Sequence, residues 1–377
     1  MNKTKKNRKK TKKTKKTKQT KQKRQNKTIK HSNQFIKSSS YSPTINQQLV
    51  TLKSISRQPI YDCNNKEAFV LKEPLKIGVP GYIFGKNCFP YNSPEAKKFL
   101  LKNLAANKHV DPNKIVPPVQ AKSNCWFNSM FVTFFVSDKG RKFFHFFRQL
   151  MIEGTQKNGT KIPDKLRDAF ALLNFGVDAC LTGNKYAYEL NTNAIIRQIY
   201  TSIPSNYKSK YPLIVDIDNA GNPVIYYMSM IDFLNNNDIQ ILFLRETGVN
   251  WKQHITKKIT GVKHLPHIII MEIFEKEAST FNQKPHTFTI NNARYQLDSS
   301  VVRDTTKQHF CSTITCEKRE YGYDGMSFSR LVPLEWKNKL NSAEFTWQFE
   351  GSNNLDGTPL QWNYTKCYQL LMYYRIN

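Results

Sequence analysis

A chain of 377 residues with 58 Lys and Arg against 28 Asp and Glu has a formal net charge of +30, and its length suits one large domain or two ordinary ones. A hydrophobic fraction of 39%, with 24 Phe and 18 Tyr, allows a sizeable aromatic core. No apolar run approaches the ~18 residues of a membrane-spanning helix, which excludes a helical membrane protein, and no apolar h-region marks a secretory signal.

The charge is concentrated at the start. Residues 1–30 hold 16 Lys or Arg and no acidic residue, and the first acidic residue is Asp62. This Lys/Thr/Gln run cannot bury enough apolar surface to offset its chain entropy, so residues 1–40 are expected to be a disordered basic tail. Such a tail suits phosphate backbones, other polyanions or nuclear import, and at its plainest only aids solubility. Residues 41–114 read as a linker and an N-terminal strand and helix extension, and 115–377 as the main domain. The seven cysteines are odd in number and accompany no secretion signal, which implies free thiols and an intracellular setting, cytoplasm or nucleus. No C-x-x-C occurs, so no zinc ribbon is expected. The Lys/Asn/Ile-rich composition has the style of an AT-rich genome, as in a large DNA virus or a protist.

In chain order, Glu73–Asn92 is rich in Gly and Pro and predicts turns with short strands. "SPEAKKFLLKNLAA" predicts a helix capped by Ser93 with Pro94 in its first position. Pro117-Pro118 closes that unit. Apolar residues at Trp126, Phe127, Met130, Phe131, Phe134 and Phe135 give one broad helical face starting at Cys125. "SDKG" interrupts it, and "RKFFHFFRQLMI" predicts a second helix, in which His145 is expected to be a core or groove histidine. Helices are also expected at Asp164–Leu173 and Ala187–Tyr200. "YPLIVDIDNAGNPVIYY" reads as strand, tight turn, strand. From Leu265 short strands succeed one another: "LPHIIIMEIF", "HTFTINN", "ARYQLDSSVV", "HFCSTITC", "SFSRLV" and "CYQLLMYYR". A helical half followed by an antiparallel sheet half is an α+β pattern.

One constellation carries chemistry. A thiol nucleophile is favoured at a helix N-terminus, where free N–H groups and the macrodipole stabilise negative charge, and Cys125 sits where the helical pattern begins, after a Pro-broken loop. His309 opens the strand "HFCSTITC". A turn and a return strand would bring Asp324, in "EYGYDGMSF", back beside it, giving the base and its orienting group. Asp304, in the loop before His309, is the competing orienter.

"NCWFNS" resembles the Cys box of ubiquitin-specific proteases. "LPHIIIMEIF", "ARYQLDSSVV…HFCSTITC", "YGYDG" and "CYQLLMYYR" are similar to that family's later segments, in the family's order, across roughly 116–375. The resemblance implies a papain-like cysteine protease fold and hydrolysis after the C-terminal Gly-Gly of ubiquitin or a ubiquitin-like protein. It implies Cys125 as nucleophile, His309 as base then acid, Asp324 as orienter, and Gln120, five residues before the cysteine, as an oxyanion donor. It implies no metal or cofactor. The chain departs from the family in lacking glycines before the histidine, where "RDTTKQH" stands, and in lacking the zinc-bearing fingers. Two alternatives stay open: a papain-like processing protease of another specificity, and a basic nucleic-acid-binding or scaffold protein with a vestigial protease fold.

Overall fold

In the computed structural model, residues 63–376 are described, apart from 65, 82–86, 107–108, 157, 211, 213, 218, 220, 235–239, 246–249, 262–263 and 282. The expected basic tail and the first part of the expected linker lie outside the described residues.

The described residues begin with a short helix α1 (Lys66–Phe69) and an antiparallel hairpin of β1 (Lys76–Gly78) and β2 (Cys88–Pro90). A disulfide joins Cys63 to Cys88 across this unit, with Cα atoms 5.6 Å apart. The expectation of free thiols throughout is therefore corrected at these two positions. The count was right, but only the hairpin brings these two within bridging range. Phe69 anchors the unit on Phe175 and Tyr186, with ring centroids 6.0 and 5.3 Å away.

Helix α2 (Pro94–Ala106) starts as its sequence predicts: Ser93 Oγ accepts from the Ala96 N–H at 3.1 Å and Pro94 takes the first position. It packs against α5, and Lys97 Nζ donates to the Glu153 carbonyl at the end of that helix. Then follow α3 (Cys125–Phe135), α4 (Asp138–Phe143), α5 (His145–Glu153), α6 (Asp164–Thr182), α7 (Thr192–Ser202), α8 (Ser205–Lys210) and α9 (Pro223–Phe233). Ser137 does not merely interrupt the aromatic helices: its hydroxyl accepts from the Gly140 N–H and caps α4. Helix α9 corrects the strand–turn–strand expectation over 211–227. Asn222 Oδ1 accepts from the N–H groups of Val224 and Ile225, both at 3.1 Å, and Pro223 sits in the first helical turn. Asn-Pro is here a cap and first-turn pair rather than a hairpin turn.

The second half is an eight-stranded sheet. Its strands are β3 (Ile241–Leu244), β4 (Ile268–Ile273), β5 (Thr287–Ile290), β6 (Ala293–Arg303), β7 (Phe310–Cys316), β8 (Arg319–Tyr323), β9 (Leu331–Pro333) and β10 (Gln369–Arg375). The order is β3-β4-β10-β6-β7-β8-β9, with β5 paired to β6, and every pairing is antiparallel except β3 with β4. Helix α10 (Trp251–Ile259) and the single turn α11 (Glu275–Ala278) lie between strands in sequence. The architecture is thus α+β, helices first and a largely antiparallel sheet second. No helix among the described residues is long and apolar enough to cross a membrane.

Helix α3 is the axle between the halves. All of Cys125 to Phe135 is buried, which exceeds the single face its periodicity predicts. Its polar residues Asn128, Ser129 and Thr133 are buried with the apolar ones, so the helix is covered on every side. On one flank Trp126 meets Tyr226 of α9, centroids 4.9 Å apart, and on the other the helix packs on β7. Between β9 and β10 the chain folds a plug around Trp336, Trp347, Trp362 and Tyr364, all buried against the sheet.

Candidate active site

Cys125 is the first residue of α3 and is 9% exposed. The residue before it, Asn124, occupies the cap position yet offers no side-chain cap. Its Oδ1 accepts instead from the Ala121 N–H at 3.1 Å, and its Nδ2 donates to Thr192 Oγ1 at 2.8 Å. The Thr192 hydroxyl donates in turn to Asn128 Oδ1 at 2.8 Å, and Asn128 Nδ2 donates to the Val119 carbonyl at 3.1 Å. This chain of amides ties the loop before Cys125 to α3 and α7. It leaves the first N–H groups of α3 without a side-chain cap, beside the thiol, where they favour negative charge.

His309 immediately precedes β7, and the hairpin of β7 and β8 returns the chain to Asp324 as the sequence predicts. His309 Nε2 donates to Asp324 Oδ1 at 2.6 Å, with the ring 5% and the carboxylate 0% exposed. Burial alone would lower the ring's pKa. The carboxylate of Asp324 and the thiol of Cys125, both beside the ring, outweigh burial and raise it to about 10. With Nε2 held by Asp324, Nδ1 is the nitrogen left for the thiol. Trp362 sets an edge against the imidazole at 6.0 Å between centroids.

Asp304, the competing orienter, is turned to the main chain. It accepts from the N–H groups of Thr306, Gln308 and His309 at 2.6, 2.8 and 2.6 Å, and from the Thr306 hydroxyl. It shapes the turn that delivers His309 and does not contact the ring. Sequence reasoning missed Ser352. Its hydroxyl donates to Asp324 Oδ2, and the Met326 N–H donates to Asp324 Oδ1 at 3.2 Å. Ser352 lies 28 residues beyond Asp324 within the tryptophan-lined plug, and no local signal marks it.

Gln120 stands on the loop leading to Cys125. One N–H of its amide donates to the Lys122 carbonyl at 3.1 Å, while Oε1 is buried without a hydrogen-bond partner. Its backbone N–H donates to the Gly325 carbonyl at 2.9 Å, and Tyr323 Oη donates to the Pro118 carbonyl at 2.7 Å. These two bonds join the cysteine loop to the aspartate loop. Gly325 permits the approach: a Cβ there would stand 3.0 Å from the Gln120 nitrogen and 3.1 Å from its Cβ.

Cys311, Cys316 and Cys367 lie in different surroundings. Burial raises the thiols of Cys316 and Cys367 to about 11 and holds that of Cys311 well above its ordinary value. His145 is also apart from the site. Burial, aided by Arg148, lowers its ring to about 4, in keeping with a core histidine. Among the described residues no group of three or more His, Cys, Asp or Glu could hold a metal ion.

No family model matches the chain, and no curated protein matches it. Solved structures that resemble it include the SAGA DUB module Ubp8/Sgf11/Sus1/Sgf73 bound to ubiquitin aldehyde, at 9% identity over 71% of this chain and 70% of that one, TM-score 0.40. Another structure of the Ubp8-Sgf11-Sgf73-Sus1 SAGA DUB module aligns at 10% identity over 71% of this chain and 68% of that one, TM-score 0.41. An essential yeast splicing factor aligns at 11% identity over 70% of each chain, TM-score 0.36. At this level of likeness the chemistry has to be argued from the site itself.

Proposed function

We propose that the protein is a cysteine peptidase that hydrolyses the isopeptide or peptide bond after the C-terminal Gly-Gly of ubiquitin or a ubiquitin-like protein. The observation that carries the reading is the 2.6 Å bond from His309 Nε2 to Asp324 Oδ1, on a ring that also lies beside the thiol at the start of a buried helix. The choice of substrate rests on the resemblance of "NCWFNS", "YGYDG" and the neighbouring segments to ubiquitin-specific proteases.

In this reading the Cys125 proton already rests on His309 Nδ1, and the sulfur attacks the carbonyl carbon of the second glycine. The C–S bond forms, and the carbonyl π pair moves to oxygen. The Cys125 N–H and the second N–H of Gln120 donate to that oxyanion, and losing one such donor typically costs about 3–4 kcal/mol. The imidazolium gives its proton to the leaving amine as the C–N bond breaks. Water, relieved of a proton by the same ring, then opens the thioester and the thiol is restored. Asp324 fixes the ring's tautomer and balances its charge, and Ser352 holds the carboxylate.

The test is incubation with ubiquitin bearing a C-terminal thiol-reactive warhead, followed by peptide mapping. The expected result is one adduct, on Cys125. An adduct on another cysteine, or none while small alkylating agents still modify Cys125, sinks the substrate assignment.

A further inference from the structure

Helix α3 and strand β7 both run away from the candidate active site. Cys125 and His309 stand at their starts. At their far ends, about 15–20 Å away by helix and strand rise, lies a pocket of about 390 Å³. Its carboxylates are already engaged. Asp138 and Glu317 both accept from Arg141 Nη2, at 3.0 and 2.8 Å. Asp138 also takes the N–H groups of Glu317 and Lys318, and Glu317 takes that of Val110. Asp298, buried beneath, accepts from the N–H groups of Lys139 and Gly140 at 3.0 and 3.4 Å.

The lysines of the same pocket form no ion pair among the described residues. Lys139, Lys142 and Lys318 line it with no hydrogen-bond acceptor for their ammonium groups among the described residues, and Lys337 reaches the Thr315 hydroxyl and lies over the Trp336 ring, 5.5 Å from its centroid. Lys139 is half-buried. Burial lowers its pKa; Asp298 opposes this, Lys142 and then Lys337 add to the lowering, and Asp138 opposes it least. Like charges held together around a concavity are unfavourable until a counter-charge enters. Arg141 Nε, buried and without a partner, adds an unmet donor at the same place.

We propose that this pocket is a binding site for a small polyphosphate anion, held chiefly by Lys139, Lys142 and Lys337. Its volume is that of a small-ligand site, and each lysine supplies several donors to phosphate oxygens. The site is separate from the thiol chemistry, so the proposal stands whether or not the peptidase reading does.

Residue-resolved lysine acylation of the full chain tests it, read by mass spectrometry with and without inorganic tripolyphosphate. The basic tail will also attract the anion, but its lysines fall in other peptides and serve as an internal comparison. Acylation of Lys139, Lys142 and Lys337 should slow saturably, at lower tripolyphosphate than is needed to affect Lys252 or Lys366. In Lys142→Met and Lys337→Met, the concentration protecting Lys139 should rise about tenfold, the loss of one charge-assisted bond. Uniform slowing of all lysines, no slowing, or protection of Lys139 that survives both substitutions overturns the proposal. So does protection by a single-stranded oligonucleotide but not by tripolyphosphate.

Discussion

Ser352 donates its hydroxyl to the carboxylate oxygen of Asp324 that His309 does not use, and both residues are fully buried. Removing the donor leaves a buried oxygen unpaired, at a cost of about 1–3 kcal/mol. Ser352→Ala should lower kcat/KM for a ubiquitin C-terminal reporter about tenfold, with the loss in kcat and KM little changed. Steady-state kinetics of the folded variant decide this, and wild-type kcat would show that the hydroxyl does not hold the carboxylate for catalysis.

Alkylation should distinguish the cysteines. Iodoacetamide at neutral pH should label Cys125 well ahead of Cys311, Cys316 and Cys367, whose thiols burial holds up. Cys125→Ala should abolish reporter cleavage, while Cys311→Ala and Cys316→Ala keep most of it. Normal turnover by Cys125→Ala would remove it as nucleophile.

The two aspartates near His309 should fail differently. His309→Ala should cost nearly as much as losing the thiol. Asp324→Asn should cost about 10²- to 10⁴-fold in kcat with the fold preserved. Asp304→Asn turns an amide donor toward N–H groups that need an acceptor, so its main effect should be a lower Tm and a smaller loss of activity. Melting curves beside kinetics separate these outcomes, and a crippled Asp304→Asn with a silent Asp324→Asn would reverse the two roles.

The histidine's proton sets a pH window. Its folded-state value, about 10, lies above the ordinary 6.5, so the stabilisation it brings is full below pH 6.5 and is lost as pH rises through 10. The Tm difference between wild type and His309→Gln should therefore be largest near pH 6 and shrink toward pH 10. A difference that grows with pH would contradict the charged-ring assignment.

The expected tail carries the last prediction. With 16 basic residues and no acidic ones in 1–30, its affinity for duplex DNA should fall with salt at a log–log slope of about −0.9 per phosphate contacted. Deleting residues 1–40 should flatten that slope and leave reporter cleavage unchanged. Equal slopes before and after would assign binding to the remaining chain.

What was legible in the sequence depended on how local its signal was. Ser93-Pro94, the start of α3 at Cys125 and the strands from Ile268 onward follow from caps and periodicity within a few residues. The return of Asp324 to His309 was also legible, because one tight hairpin fixes it. Asn222-Pro223 was misread, since the same pair opens a helix or turns a chain and only packing decides. Ser352 and the Cys63–Cys88 bridge were invisible because each pairing depends on a fold that no short window encodes. No local signal marked the use of one Gln120 amide proton on the Lys122 carbonyl.

The order of strands has a consequence for how the molecule comes into being. β10 is translated after every other strand of the sheet, yet it lies between β4 and β6, pairing with both. Until it arrives, the two neighbours flank a gap and the sheet is two unjoined ribbons. The Trp362 edge beside His309 and the Ser352 donor to Asp324 also belong to chain made just before it. The thiol at the start of α3 therefore leaves the ribosome roughly two hundred residues before its partners are seated. A nascent chain would carry an incomplete and unreactive site through most of its synthesis, with closure by one central strand as the slow, long-range step.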